Sequence, residues 1–347
     1  MAIMARLTLP PAEPPRRRPR LKEVAKLAGV STMTVTRALN APHKVAKATR
    51  VRVEAIARDL GYTPDLTARG LTLQRTGLVG AVVPLLTNSL IAEIVQGLSD
   101  AVARNGFQLL VGATGFSASG EEAMVRAFLS RRVDAIYLTG ISHTSATIAM
   151  LRQSRIPCVE GGNLARKPID MAVGYSSKDA ATAVTRYLID RGYRPLGYIG
   201  AWPKDNDRAR DRRRGFEAAC RSAGIVVVDS MCVETDLDLH AGARSMGTLL
   251  DRHPEVRAVF CSADTLAVGA MFEAQRRNIA IPGRIAIAGF DDLDIASEVV
   301  PALTTLRVPR YEIGRRAGEM ICERLAGRAV AAPVVDIGYE FVRRSTA

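Results

Sequence analysis

The sequence predicts an all-α helix-turn-helix headpiece followed by an α/β part made of two doubly wound lobes with parallel sheets. Two short amphipathic helices flank Gly29 near the N-terminus. From Gly77 onward, buried strands alternate with helices, which predicts parallel sheets covered by helices on both faces. The alternation restarts near Asp179, so two lobes with a cleft between them are expected. A chain of 347 residues also exceeds a single ordinary core.

The headpiece consists of two short helices joined by a turn. Gly29 ends the first helix, and Ser31 or Thr32 can cap the second. This arrangement is typical of the helix-turn-helix, whose second helix enters the major groove of DNA. Duplex DNA is therefore the predicted partner. The inward-facing apolar residues are Leu21, Val24, Ala25 and Ala28 in the first helix and Val35, Ala38 and Leu39 in the second.

The positive charge of the chain is concentrated on this headpiece. Of a net charge of +13, residues 1–76 carry 15 Lys/Arg against 5 Asp/Glu, whereas residues 77–347 carry 33 against 30. A basic block on one folding unit is expected of a protein that neutralises phosphates and releases their counterions. The alternative is a merely soluble, basic surface, and the coincidence of the charge with a helix-turn-helix favours DNA binding over it.

Several other classes of protein are not expected. The five cysteines are scattered without CxxC spacing, which indicates neither disulfides nor zinc and fits a reducing compartment. No HExxH, Walker loop or GxSxG occurs, so we expect no enzyme, no metal and no cofactor. No apolar run approaches the roughly 18–20 residues of a membrane span. The expected location is the bacterial cytoplasm, associated with the nucleoid.

The predicted elements follow the chain in two series, each expected to supply a five- or six-strand lobe. The first series comprises strands 78–84, 108–113, 135–138 and 158–160 and helices 91–105, 121–131 and 146–154. The second comprises helices 179–191, 208–223, 242–252 and 266–277 and strands 195–199, 226–228, 258–261 and 285–289. A last helix, 315–325, and a last strand, 334–339, are expected to return to the first lobe.

The domain organisation follows from these elements. Residues 1–19, rich in Pro and Arg, are expected to form a disordered basic tail, and residues 20–63 the helix-turn-helix headpiece. A short helix and a polar linker should occupy 64–76, and a two-lobed α/β domain 77–347.

Leu21–Asn40, together with Thr49–Leu60 and the Gly61–Pro64 segment after it, resembles the headpiece of the LacI/GalR repressors. The resemblance extends to the C-terminus, and within the family it is strongest to the gluconate repressor subgroup. It implies a homodimeric repressor controlled by a small effector. In such a repressor residues 64–76 would form the hinge helix and linker, and residues 77–347 a periplasmic-binding-protein-like effector-binding and dimerisation domain. The segments that carry the subgroup resemblance are Ala172–Tyr175, Val259–Cys261, Leu266–Gly269 and Ile285–Phe290.

The resemblance also implies which side chains read DNA. Thr32 and Met33 occupy the two positions that discriminate operators, and Arg37 matches a base-reading arginine. Arg37 can donate two hydrogen bonds to guanine, whereas Met33 can contact only a thymine methyl group or pack in the headpiece core. Thr34 and Thr36 are suited to phosphate, and Asn40 completes the predicted surface.

The flanking segments supply further contacts. Lys44, Lys47 and Arg50 are expected to bind phosphate, while Ala46 leaves the third helix without a side-chain cap, so that Thr49 is an alternative start. Leu71 matches the hinge leucine that enters the minor groove, although it can instead pack against the sensor.

Loops that follow strands predict the effector site. Thr87 and Asn88 offer polar groups, with Leu90 and Ile91 as apolar walls. Arg212 matches the family's effector-binding arginine, and its forked guanidinium suits a carboxylate.

Three further side chains complete the predicted site. Asp291 matches the residue that holds effector hydroxyls, Trp202 can stack on a polyol or pack on the lobe surface, and Glu160 can accept hydroxyl hydrogen bonds or pair with a basic neighbour.

The arginine-rich segment and the subgroup resemblance together predict a sugar-acid effector such as gluconate or a keto-gluconate. A neutral sugar and a corepressor role are the alternatives within this class. A sugar-acid-binding protein or enzyme without gene regulation is the alternative of another class.

Overall fold

The computed structural model describes residues 19–62, 75–86 and 89–347, and the chain divides into two compact units, 1–74 and 75–347. The tail 1–18, the hinge segment 63–74 with Leu71, and the predicted site residues Thr87 and Asn88 lie outside the described residues. No helix in the described part of the chain is long and apolar enough to cross a bilayer.

The described residues of the first unit form three α-helices, α1 (Leu21–Ala28), α2 (Thr32–Asn40) and α3 (Lys47–Asp59). Gly29 ends α1 in the left-handed conformation, with φ of 62°. The Ser31 hydroxyl caps α2 by accepting a hydrogen bond from the backbone N–H of Thr34 at 3.1 Å. The predicted inner faces meet in one core, whose fully buried members are Val24, Ala25, Ala28, Val35, Ala38, Val53 and Ala57.

Helix α3 begins earlier than its side chains alone suggest. Its N-cap is Ala46, which offers no side-chain hydrogen bond, and its first residue is Lys47 rather than Thr49. The missing cap is therefore confirmed, and the alternative start at Thr49 is wrong. Packing of Val53 and Ala57 into the headpiece core holds the helix although one end is uncapped.

The second unit is an alternation of strands and helices. Its first series is β1 (Leu78–Val83), α4 (Ser89–Ala103), β2 (Gln108–Ala113), α5 (Ala118–Ser130), β3 (Ala135–Thr139), α6 (Ser145–Ser154), β4 (Cys158–Asn163) and β5 (Met171–Tyr175). The second is α7 (Ser177–Asp190), β6 (Leu196–Ala201), α8 (Asp207–Ser222), β7 (Cys232–Thr235), α9 (Leu239–Arg252), β8 (Ala258–Cys261), α10 (Asp264–Arg276) and β9 (Ala286–Ala288). The chain ends with α11 (Ile295–Glu298), β10 (Thr305–Arg307), α12 (Arg310–Leu325), β11 (Val334–Asp336) and β12 (Glu340–Val342).

The first lobe is a parallel sheet of six described strands in the order β11-β5-β4-β3-β1-β2. The return of the C-terminal segment to this lobe is confirmed, since Val334 of β11 lies beside Ala172 of β5. Helix α12 starts at Arg310, five residues before the predicted start, and packs closely on α4. A Cβ at Gly97 or Gly314 would collide with the backbone of the facing helix, so these glycines permit the close approach.

The second lobe differs from the prediction in strand number. Its sheet has four described parallel strands in the order β7-β6-β8-β9, rather than five or six. The predicted strand 226–228 is wrong, because Val226 and Val228 are 84% and 42% exposed and the position beside β6 is taken by Cys232–Thr235. Valine-rich sequence favours a strand only where a sheet buries it. An antiparallel pair, β10 with β12, was not predicted.

Candidate functional site

Helix α2 presents one face to the headpiece core and the other to solvent. Val35 and Ala38 are buried, whereas Thr32, Met33 and Arg37 are exposed. Met33 is 59% exposed, so it does not pack in the headpiece core, and it remains available for an apolar contact. Asn40 is the last residue of α2, and its side chain lies outside the described part.

The two threonines predicted to contact phosphate use their hydroxyl groups within the helix. The Thr36 hydroxyl donates to the carbonyl oxygen of Thr32 at 2.9 Å. The hydroxyls of Thr34 and Ser31 lie 2.9 Å apart in a hydrogen bond of either direction. In this arrangement the Thr36 proton is not available to a phosphate oxygen, although its oxygen can still accept a hydrogen bond.

The predicted phosphate-binding cations lie beside the start of α3. Lys44 and Lys47 are exposed, whereas Arg50 is half-buried and pairs with Glu54, with 3.6 Å between its Nε and Oε1. Two free ammonium groups and one partly neutralised guanidinium therefore lie near this end of the described headpiece.

In the second unit, a cavity lies between the lobes at the carboxyl ends of the parallel strands. The volume of this cavity is about 60 Å³. The first lobe contributes its apolar wall, including the predicted Leu90 and Ile91, while α8 and the loops after β8 and β9 contribute most of its polar groups. The described lining residues are Pro84, Leu85, Leu90, Ile91, Ile94, Phe116, Thr139, Gly162, Tyr175, Ala201, Asn206, Arg208, Ala209, Arg212, Leu237, Ser262, Ala263, Asp291, Val308 and Ile313.

Arg212 is buried in this lining and its guanidinium is nearly saturated with partners. Its Nη1 donates to the carbonyl oxygen of Ser262, and its Nη2 donates to the Tyr175 hydroxyl at 2.9 Å and to Oδ1 of Asp291 at 3.2 Å. The guanidinium carbon also lies 3.8 Å from the centre of the Phe290 ring. Among described groups, the buried Nε finds no acceptor.

Asp291 lies at the start of a loop with strained backbone, having φ of 114°. Burial raises the pKa of its carboxyl above the ordinary value, although Arg212 and Arg310 oppose the shift. The neighbouring Asp264, fully buried at the start of α10, accepts hydrogen bonds from the Thr305 hydroxyl and the Leu293 backbone. Burial and the charge of Asp291 raise the pKa of Asp264 to about 7.

Arg208 is a lining residue for which the sequence offered no specific role. Its side chain is 13% exposed, and its Nη1 lies 3.4 Å from Oδ1 of Asp207. A second cavity of about 30 Å³ adjoins the first, and Pro84, Phe116, Thr139 and Arg208 line both.

Glu160 does not line the cavity. Its buried carboxylate accepts a hydrogen bond from the Ile169 backbone N–H and lies 3.4 Å from Nε2 of His143. The other ring nitrogen of His143, Nδ1, lies 2.8 Å from Oε1 of Glu121. Burial lowers the pKa of His143, but the two carboxylates raise it more, to about 9. Glu160 therefore pairs with a basic neighbour, which was one of its two predicted roles.

Trp202 also lies outside the cavity lining. It is 53% exposed, and its indole N–H donates to Oδ1 of Asp236 at 3.1 Å. It occupies the lobe surface, in agreement with the second of its two predicted roles.

The structure adds Tyr175, Ser262 and Arg208 to the predicted site. Tyr175 ends β5 and Ser262 follows β8, so the rule that ligands bind at the carboxyl ends of strands would have found both. Arg208 lies one turn before Arg212 on α8, a spacing that places both on one helix face. Buried guanidinium, carboxyl and hydroxyl groups suit a small polar ligand.

Within the described residues, no group of three or more His, Cys, Asp or Glu could hold a metal ion.

Comparison with known sequences and structures supports the same two parts. The profile of bacterial regulatory proteins of the lacI family matches residues 20–65, and that of the periplasmic binding protein-like domain matches 185–347. The chain is 32% identical over 324 residues to the HTH-type transcriptional regulator GntR of Escherichia coli K12, covering 93% of this chain and 97% of that protein.

Two further similarities extend over nearly the whole chain. The regulator GntR of Pseudomonas aeruginosa is 34% identical over 337 residues, covering 95% of this chain and 96% of the relative. A crystal structure of a LacI-family transcriptional regulator from Silicibacter pomeroyi superposes with a TM-score of 0.88 at 30% identity. It covers 94% of this chain and 98% of that protein.

Proposed function

Because the chain belongs to the LacI family and is a DNA-binding transcriptional repressor with a ligand-binding sensor, we propose that its effector is a small sugar acid. The class we propose is that of gluconate and the keto-gluconates. The relatives that it matches are transcriptional regulators, and this protein is likewise a regulator and not an enzyme.

One observation carries the effector class. The charged residues among the described lining of the cavity are Arg208, Arg212 and Asp291, which leave one excess positive charge. Hydroxyl and amide groups of Tyr175, Ser262 and Asn206 lie around them. A buried excess cation favours an anionic ligand, and the surrounding polar groups favour one with hydroxyls. A sugar monoacid meets both requirements, whereas a neutral sugar leaves Arg208 with only its 3.4 Å contact to Asp207.

At the DNA end, we propose that two headpieces of a homodimer bind a pseudo-palindromic operator. Two-fold symmetry in the protein predicts two-fold symmetry in the site. Thr32, Met33 and Arg37 supply base contacts, and the exposed cations Lys44 and Lys47 supply phosphate contacts that fix the register. This protein acts where its operator is, on the nucleoid in the cytoplasm.

Effector binding and operator binding are coupled if the effector binds more tightly to one arrangement of the lobes. A coupling of about 1–3 kcal/mol changes operator affinity by roughly 5- to 150-fold. We propose that the sugar acid is an inducer, so that its binding lowers operator affinity. A corepressor would instead raise the operator affinity when it binds.

A gel-shift titration tests the proposal. Full-length protein should retard the promoter beside its own gene at moderate salt, and gluconate or a keto-gluconate should release the DNA. Arg212→Ala should leave retardation intact and abolish the release, because Arg212 lines the cavity but belongs to the second unit and not to the headpiece.

Each other outcome has a defined meaning. Tighter retardation with the acid would make it a corepressor. Release by neutral sugars alone would replace the sugar acid with the neutral alternative. Release of DNA from the Arg212→Ala variant at wild-type concentrations would remove Arg212 from the effector site.

A further inference from the structure

The two arginines of the cavity differ in how far their charge is already neutralised. Arg212 donates to three oxygen atoms, one of which belongs to the carboxylate of Asp291. A ligand carboxylate beside Arg212 would also lie beside Asp291, and two like charges at such distances repel each other. The Arg212–Asp291 pair presents both a donor and an acceptor, which is the requirement of a ligand hydroxyl.

Arg208 has no comparable partner. Its hydrogen bond among the described residues is the long 3.4 Å contact with Asp207. The other carboxylate oxygen of Asp207, Oδ2, accepts a hydrogen bond from Nδ2 of Asn163 at 3.0 Å, so Asp207 is shared between the lobes. A guanidinium that is mostly removed from water and weakly paired binds an additional anion favourably.

The first lobe leaves room for this guanidinium at two glycines. A Cβ at Gly140, after β3, would lie 2.7 Å from Nη1 of Arg208, and one at Gly162, in β4, would lie 3.7 Å from its Cδ. Both glycines have positive φ, near 98°, a conformation that side chains rarely adopt. Arg208 of the second lobe therefore lies against the strand ends of the first, in the lining of both cavities.

We propose that Arg208 binds the carboxylate of the effector, while the Arg212–Asp291 pair binds its hydroxyl groups. This assignment rests on the proposed function, since it places the one charged group of a sugar acid. It makes Arg208 the residue that distinguishes the acid from the corresponding neutral polyol.

The second cavity limits the number of charges on the ligand. Its described lining contains the acidic residues Glu121, Asp205 and Asp207 against the single cation Arg208. A second carboxylate or a phosphate that reached beyond Arg208 would meet these acidic groups. The site therefore selects one negative charge, and a diacid of the same chain length is disfavoured.

Calorimetric titration of the full-length protein tests this assignment with gluconate, the neutral polyol sorbitol and the diacid glucarate. The wild-type protein should bind gluconate on the order of tenfold to a hundredfold more tightly than either. Arg208→Gln should lose the preference for gluconate over sorbitol. Arg208→Lys, which keeps the charge without the fork, should retain part of it.

Arg210 is the matched control on the same helix. Its Nη2 donates to the Ser142 hydroxyl at 2.8 Å, and it does not line the first cavity. Arg210→Gln should keep the wild-type preference. Operator retardation by each variant reports whether it is folded.

The outcomes separate the two proposals. A wild-type protein that binds gluconate no better than sorbitol overturns the sugar-acid effector and this assignment together. A wild-type preference that survives in Arg208→Gln overturns only the assignment, and its loss in Arg212→Gln alone would move the carboxylate to Arg212.

Discussion

Two buried charged groups of the sensor, the guanidinium of Arg212 and the imidazole of His143, are compensated by carboxylates. Arg212 pairs with Asp291 beneath the cavity, and His143 lies between Glu121 and Glu160 in the first lobe. Because removal from water penalises a lone charge, these partners stabilise the charged forms of both residues. The exposed charges of the headpiece follow another rule. Arg37, Lys44 and Lys47 lie on its surface, where a polyanion can replace water as their partner.

Two substitutions in the headpiece should separate base reading from phosphate binding. Arg37→Ala should reduce discrimination at one base position by about 1–3 kcal/mol, because an arginine can contact guanine with two hydrogen bonds. Lys47→Ala should weaken all sequences alike and lower the slope of log affinity against log salt by about 1. Gel shifts with single-base operator variants at several salt concentrations measure both effects. Equal loss on all sequences for Arg37→Ala would assign it to phosphate.

At the scale of the element, six of the α-helices in the described part of the chain carry a side-chain cap at the N-terminus. In each of them a side-chain oxygen accepts a hydrogen bond from a backbone N–H at the start of the helix. The capping residues are Ser31, Ser117, Thr144, Ser176, Asn206 and Asp238. Helix α3 is one of the described helices that lack such a cap, since Ala46 lies at its N-cap. Its first backbone N–H groups therefore depend on water or on a partner such as phosphate.

Ala46→Ser should stabilise α3 by about 1 kcal/mol. The backbone of Ala46 has φ of −55° and ψ of 138°, so a serine fits there and its oxygen can accept from the N–H of Ala48 or Thr49. Hydrogen exchange of the α3 amides in the full-length protein measures the gain. Ala46→Val, which adds bulk without an acceptor, is the control and should give no protection. The prediction fails if both variants protect α3 equally.

At the scale of the whole second unit, polar contacts between the lobes surround the interlobe cavity. Nδ2 of Asn163 donates to Asp207 and Asp211 of α8 at 3.0 and 2.8 Å, and Arg210 donates to Ser142. The loop after β9 adds a further link, in which Arg310 donates to the carbonyl oxygen of Asp291 and to Glu93. Any separation of the lobes breaks these bonds, so a ligand that adds contacts across the cavity favours the closed arrangement.

The stability of this unit should fall as the pH rises above neutrality. The pKa of His143 is about 9 in the fold and about 6.5 when unfolded, so its contribution is complete below about 6.5 and is lost as the pH passes 9. The difference between these two pKa values corresponds to about 3 kcal/mol in the free energy of unfolding. Urea unfolding of the full-length protein between pH 7.5 and 9 measures it.

His143→Gln should be less stable at pH 7.5 and should lose most of this pH dependence. The exposed His240 provides the control, because His240→Gln should keep the wild-type slope. The pKa of Asp264 is raised to about 7, so its ionisation also lowers the stability as the pH rises. Most of this ionisation is complete below pH 7.5, where the measured range begins. A wild-type slope in His143→Gln would show that another group governs the response.

The predicted class of fold, and the helix-turn-helix within it, depended on local features. Apolar spacing, Gly29 and Ser31 are read directly from neighbouring residues, and they placed α1 and α2 correctly. The failures came where distant packing decides. Residues 226–228 have strand-forming side chains, but Cys232–Thr235 occupies the sheet position, and α12 extends to Arg310 because it packs along α4.

The sequence by itself determined the alternation of strands and helices, the basic headpiece and the arginine-rich helix that supplies part of the cavity lining. These follow from periodicity, charge and short-range capping, which act within a few residues. Only the tertiary structure decided that Glu160 pairs with His143, that Trp202 lies outside the cavity lining and that Arg208 remains weakly paired while Arg212 is neutralised. The partner of Glu160 lies 17 residues away in the chain and the carboxylate partner of Arg212 lies 79 residues away, and folding alone brings them together.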